Sequence, residues 1–356
     1  MPPLHETLSV ALPIPEEEAS VAHDEQGAMT WSVVGGTTEK PVNDCFKIGD
    51  QVVWRKNEDR FRIVEKPEAM FAAVADGAGS SGMFCGAWAE ALVERLPEAP
   101  LGDLDGLNKW IDGFWQDFSS EFKKQASGDP TKLSKFVREG SCSTLAACWI
   151  DKHIDTGTMT LNWLGYGDSP IIIFAGDDDA LSLRTAFPHT LAAMESDPHL
   201  LNWKDMPKES QLKSGTIVLT GPARIILASD GIGQFVLLRY LAYLYARQSM
   251  DGKVDMSDQG KNMLSEYRQF LNAGNGKLAM LTRNHLENLG DGFATELALF
   301  RKALQTQSGF SDIIKEHHAK GGLPNDDSTL VIIDIEVEAV EGAGDKPDLL
   351  ISVNEP

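Results

Sequence analysis

The chain has 356 residues, with 53 Asp and Glu against 32 Lys and Arg, a formal charge of −21. That balance excludes sequence-independent nucleic-acid binding, which needs clustered cations, and docking on anionic lipid. With 42% hydrophobic residues it can bury a substantial core, and no apolar run reaches the length of a membrane-spanning helix.

From the start to about residue 29, the chain carries Pro2, Pro3, Pro13, Pro15 and the run Glu16-Glu17-Glu18. It lacks a basic start followed by an apolar segment. It reads as a flexible acidic leader rather than a secretory signal, which points to a cytoplasmic protein. Strands are expected at Trp31–Gly36, Cys45–Val53, Phe61–Val64 and Met70–Val74, the last a continuous apolar run of the buried kind. Ala87, Leu92, Val93 and Leu96 share one face of a helix over Met83–Leu96. Leu107, Trp110, Ile111, Phe114 and Phe118 do the same over Asp105–Gln125. Thr144–Ile150 and Met159–Gly165 read as paired strands, followed by Ile171–Phe174, Thr216–Thr220, Ile225–Ala228 and, late in the chain, Leu330–Val337. Mostly helical stretches separate Asp230 from Asp326, beginning with the aromatic-rich Phe235–Arg247. They read equally as a docking or regulatory insertion (about 235–320) and as extra packing helices. Residues 338–356 form a loose acidic tail. Strict β-α-β alternation is absent, so the order favours α+β layers over a doubly wound parallel sheet.

The four cysteines, Cys45, Cys85, Cys142 and Cys148, form no CxxC pair. They argue against a zinc site or a disulfide framework and read as buried free thiols in a reducing compartment.

Four acidic motifs each sit where an apolar strand stops or starts. They are Val74-Ala75-Asp76-Gly77-Ala78-Gly79, Gly165-Tyr166-Gly167-Asp168-Ser169, Leu227-Ala228-Ser229-Asp230-Gly231 and Asn325-Asp326-Asp327-Ser328-Thr329. A carboxylate there has its backbone fixed by the sheet and its head in a cleft. Several converging carboxylates make an oxygen-rich site for hard divalent cations. Taken singly, each has a plainer reading: Asp76-Gly77 as a turn, Asp168 as a strand-end cap, Asp230 as a helix N-cap, Asp326-Asp327 as a solvated turn. Their shared placement favours ligation by Asp76, Asp168, Asp230 and Asp326.

With Gly140-Ser141-Cys142-Ser143-Thr144 between the first and second, these motifs in their order resemble those of the type 2C, metal-dependent protein serine/threonine phosphatases, in the bacterial-type branch. The resemblance spans roughly Trp31 to Val337. It implies one phosphatase-like domain over 30–337, built as a four-layer α-β-β-α sandwich of two antiparallel sheets flanked by helices. It implies two Mn²⁺ or Mg²⁺ ions, with a third associated with Asp168. Asp76 would bridge the two ions, the Gly77 carbonyl would bind one, and Asp230 and Asp326 the other. The implied reaction is hydrolysis of phosphoserine or phosphothreonine in protein substrates by a metal-activated water, with Asp76 and Asp230 acting through the metals. The family's N-terminal motif, a phosphate-gripping Arg followed by an acidic residue that supports a metal through water, has two rival matches. One is Arg55 with Asp59; the other is Lys40 with Asp44. Ala78 stands where some members have a proton-donating His. The displaced basic residue, Ala78 and the long helical stretch motivate an alternative, a weakly catalytic regulator that binds phosphoprotein partners.

Overall fold

The computed structural model describes residues 29–42, 45–48, 51–54, 56–178, 180–251 and 256–337, with backbone alone for 46–48, 51–54 and 249–251. The acidic leader through residue 28, the acidic tail, Asp44 and Arg55 lie outside the described residues.

In chain order the elements begin with β1 (Met29–Thr38), β2 (Cys45–Ile48), β3 (Gln51–Trp54), β4 (Arg60–Glu65) and β5 (Ala69–Ala75). Four helices follow: α1 (Cys85–Glu94), α2 (Leu104–Asp112), α3 (Trp115–Ala126) and α4 (Pro130–Glu139). Next come β6 (Cys142–Ser143), β7 (Leu145–His153), β8 (Thr158–Tyr166), β9 (Ile171–Ala175), β10 (Ser182–Phe187), β11 (Leu201–Asn202), β12 (Leu212–Leu219) and β13 (Ala223–Ala228). Then α5 (Asp230–Asp251), α6 (Asp258–Asn272), α7 (Lys277–Glu287), α8 (Phe293–Ala303) and α9 (Gln307–Ala319) lead into β14 (Ser328–Val337).

Two five-stranded sheets form the centre, ordered β1-β14-β13-β9-β10 and β12-β8-β7-β5-β4, with every pairing antiparallel. Side chains alternate across a strand, and β5 shows why its run is apolar throughout. Met70, Ala72 and Val74 enter the core between the sheets. Phe71, Ala73 and Ala75 face the other way and pack under α1–α4 beside Trp88, Leu92 and Phe118. β14 repeats the pattern: Val331, Ile333 and Ile335 point between the sheets, Leu330 and Ile332 toward α5–α9. The result is the expected α+β sandwich of four layers. Helices α5–α9 form the outer layer on the first sheet, packed through Phe235, Leu238, Tyr267, Phe300 and Phe310.

Local differences from the sequence reading have local causes. The stretch Cys45–Val53 is a hairpin, β2 on β3, not one strand. The helix expected over Asp105–Gln125 breaks at Gly113, where the non-helical Phe114 sets its ring 5.5 Å from that of Trp88. Helix α4 starts at an Asp129 cap with Pro130 in its first turn, but buries only Phe136 and so carries only a narrow apolar stripe. A register shift between Leu183 and Thr185 conceals β10 from a period-two reading. The thiols of Cys85, Cys142 and Cys148 are free and buried as expected, whereas Cys45 is free and exposed.

Two histidines lie inside the α5–α9 layer. Burial, then the nearby Arg239 guanidinium, push His285 down to about 3 and His317 down to about 4. Both rings pack on Phe235, at 5.0 and 4.6 Å. Folding therefore favours the neutral rings. The stability they contribute is complete above the unfolded value of 6.5 and is lost as pH falls toward the folded values. His285→Phe keeps an uncharged ring and is expected to move the acid-unfolding midpoint, followed by circular dichroism at 222 nm, to lower pH. An unchanged midpoint would remove His285 from this account.

Candidate metal-binding active site

The strand register brings the acidic motifs to one end of the sandwich. Arg60 pairs with Ala75, so Asp59 before β4 lies beside Asp76 after β5. Val74 pairs with Ala146, and Leu145 with Tyr166, which carries Asp168 to the same end. On the other sheet Ala228 pairs with Leu330, setting Asp230 near Asp326. The backbone bond from Ala228 N–H to Pro170 O, 3.0 Å, carries the β13–β9 ladder one step past Ile171 and so sets the Asp168 turn beside Asp230.

The backbone of Asp76 is held on both sides. Its carbonyl accepts from Thr144 N–H at 2.9 Å and from Ser143 Oγ at 2.8 Å, and its N–H donates to Thr144 Oγ1 at 3.1 Å. Ala78 N–H bonds Cys142 O at 3.0 Å. The Gly140–Thr144 motif therefore works as the clamp on the Asp76 turn. Gly77 sits where a Cβ would lie 2.8 Å from both Cys85 C and Glu58 O, backbone atoms that cannot swing away. Its carbonyl accepts from Gly79 N–H at 2.9 Å, which leaves a second lone pair for a cation. Thr144 Oγ1 is also hydrogen-bonded to Ser169 Oγ, at 2.5 Å. Thr144→Val keeps the shape but strands the Asp76 N–H and the Ser169 hydroxyl in a buried place. It is expected to cost about 1–3 kcal/mol, read as a lower urea midpoint at unchanged slope. A wild-type midpoint would show that the clamp adds nothing.

The carboxylates act on one another. Asp76 is raised well above its ordinary range by burial and then by Asp59, Asp230, Asp168 and Asp326. Asp59, 1% exposed, is pushed up to about 7 by burial and then by Asp327. Asp168 is pushed up to about 7 by burial and then by Asp230. Asp230 is raised by burial and then by Asp326, with Lys277 and Lys40 opposing. Such a set titrates as a unit, and ionising it calls for positive charge at its centre.

The two rival segments each supply one residue. Asp59 enters the cluster, while Lys40 Nζ lies 2.6 Å from Asp326 Oδ1. Asp327, which reads from sequence as part of a turn, is buried and staples both segments. Its Oδ1 accepts Lys40 N–H at 3.2 Å and its Oδ2 accepts Glu58 N–H at 3.0 Å. Asn325 holds the backbone of Val42 through both its amide atoms, at 2.8 and 3.2 Å. The doubled Asp326-Asp327 was the visible signal, and the motif register selects Asp326 as the ligand without disclosing that Asp327 is the more buried of the two.

The donors fit a hard divalent cation in kind: clustered carboxylate oxygens and one backbone carbonyl. Asp59 Oδ2 is buried without a hydrogen-bond partner among the described residues, the state expected of an oxygen directed at a cation or its water. Among the described residues, no three His, Cys, Asp or Glu side chains already close around a single point.

The chain was compared in sequence and in chain path with known proteins. No protein-family model matches the sequence, and no curated protein sequence is significantly similar to it. Among solved structures, RsbX in complex with magnesium is 11% identical, covering 86% of this chain and 96% of that one, with a TM-score of 0.36. The phosphatase domain of the cell fate determinant SpoIIE from Bacillus subtilis is 15% identical, covering 90% and 99%, with a TM-score of 0.34. The catalytic domain of the serine/threonine phosphatase PstP, in complex with two manganese ions, is 15% identical, covering 87% and 100%, with a TM-score of 0.38. These likenesses concern the chain path and do not extend to activity. Among the described residues no helix is long and apolar enough to cross a membrane.

Proposed function

We propose that the protein is a metal-dependent phosphatase that hydrolyses phosphoserine and phosphothreonine in protein substrates. The observation that carries this reading is the convergence of Asp59, Asp76, Asp168 and Asp230 from separate strand ends, each raised by burial and by like charge, with Asp326 acting on three of them. Mn²⁺ or Mg²⁺ bound there would acidify a water for attack on phosphorus and neutralise phosphoryl oxygens. Asp76, Asp230, Asp326 and the Gly77 carbonyl would hold two ions, Asp168 a third, and Asp59 would act through water.

The chain's own residues then divide the work. Ser143 and Thr144 fix the Asp76 backbone so its carboxylate meets the cations without reorganising. Lys40 stands at the cluster edge as the described cation best placed for phosphoryl oxygens, in the place the family resemblance gives to Arg. An ammonium is a point charge and not a bidentate fork, so it attracts phosphate without fixing its orientation. Ala78 offers no proton, and the leaving serine or threonine oxygen takes its proton from solvent or from bound water.

A second reading, phosphoprotein binding without turnover, is favoured by the Lys40–Asp326 contact. Phosphate release from a phosphothreonine peptide, from p-nitrophenyl phosphate and from a sugar phosphate, with Mn²⁺, Mg²⁺ or EDTA, separates the readings. Metal-dependent release that is fastest on the peptide supports the protein phosphatase. Release only from the sugar phosphate points to a small-ester phosphatase. No release from folded, metal-supplied protein that still binds the peptide supports the second reading.

A further inference from the structure

We infer that Lys40 is a built-in competitor of the divalent cation for Asp326, so that the second ion binds only by displacing an ammonium group that the protein itself holds in place. This rests on the two-ion reading of the site. Asp326 Oδ1 accepts two hydrogen bonds, from Lys40 Nζ at 2.6 Å and from Asp327 N–H at 3.0 Å. A cation reaching that oxygen must take the place of the lysine, because the second donor is backbone, and a cation on the other carboxylate oxygen would lie a few ångströms from the ammonium and be repelled by it.

The lysine cannot drift away when displaced. Its own N–H is bonded to Asp327 Oδ1, and the amide of Asn325 grips Val42 two residues on. Three consecutive residues, Asn325, Asp326 and Asp327, thus hold one short stretch of chain, with the ammonium presented to the middle one. The side chain of Lys40 is 21% exposed and that of Asp326 is 49% exposed, so the pair lies at the mouth of the cleft, where the Lys40 side chain can turn. Its three N–H donors suit phosphoryl oxygens as well as a carboxylate. Substrate phosphate and the second cation therefore ask the same movement of Lys40. Each should help the other bind, and reciprocally, as linkage requires.

Isothermal titration of the full chain with Mn²⁺ tests this, with folding checked by circular dichroism. Lys40→Met is expected to tighten the weaker Mn²⁺ site roughly three- to fivefold, the scale of an exposed ion pair. Lys40→Arg, which keeps the pair, should stay within about twofold of wild type. Lys277→Met controls for charge alone: it removes a cation that acts on Asp230 more strongly than Lys40 does but is not the one bonded to Asp326 Oδ1, and it should change the affinity less than Lys40→Met. Unchanged or weaker Mn²⁺ binding in folded Lys40→Met, or an equal effect in Lys277→Met, overturns the inference and leaves the two-ion reading standing. Wild-type protein that takes up no Mn²⁺ overturns both. Should Lys40→Met fail to fold, Lys40→Gln answers the same question with a polar side chain of similar reach.

Discussion

Asp76→Asn is expected to abolish metal-dependent phosphate release, by about a thousandfold or more, and at the same time to raise the melting temperature measured in EDTA. The first effect follows if Asp76 shares its two oxygens between cations, since an amide cannot neutralise both. The second follows from the same geometry. Asp76 is raised by burial and by four other aspartates, so its ionised form opposes folding. Removing that charge should stabilise the metal-free protein by about 1–2 kcal/mol, as is common when strain at a functional site is relieved. Adding Mn²⁺ should then restore the order, stabilising wild type and leaving the variant unmoved. A variant that is less stable in EDTA and still stabilised by Mn²⁺ would place Asp76 outside the cation site.

The largest pH effect should appear in the metal affinity. Asp59 and Asp168 are each pushed up to about 7 from an ordinary 3.8. A carboxyl whose folded value is raised holds its proton in the folded state. Its contribution to stability is complete below 3.8 and is lost as pH rises from there through the folded value, so the metal-free protein should become less stable from about pH 4 to about pH 7. A cation competes with those protons. Mn²⁺ should therefore bind roughly ten- to a hundredfold more tightly at pH 8 than at pH 6, about one power of ten for each group that must lose its proton. Thermal shift with saturating Mn²⁺ at the two pH values reads the difference directly. An equal shift at both would mean that neither carboxyl is displaced by the cation. The histidines of the helical layer act in the opposite sense over much the same pH range, and His285→Phe removes part of their contribution so that the two can be told apart.

Much of this was legible in the chain, and the boundary has physical causes. Strands such as β5 and β14, buried on both faces, announce themselves as continuous apolar runs, and their acidic ends then mark the site. The order of elements carried the α+β class, and the four layers followed from the family resemblance. What the sequence concealed were features made by two segments at once. Lys40 and Asp59 belong to one edge of the site but are separated by the β2–β3 hairpin. A search for a single contiguous motif must divide them between two rivals, as happened with Lys40–Asp44 and Arg55–Asp59. Asp327 was hidden for a related reason: its partners are backbone N–H groups of residues 40 and 58, which have no signature in side-chain composition. Short helices such as α4 and α9, which bury one or two large residues each, carry too narrow a stripe for periodicity to separate from loop.

The most direct measurement is the number of Mn²⁺ ions bound per chain by equilibrium dialysis at pH 8, for wild type and for Asp76→Asn. The carboxylate cluster predicts at least two ions in the wild type and the loss of both in the variant. Equal binding by both, or no binding by folded wild-type protein, would contradict it.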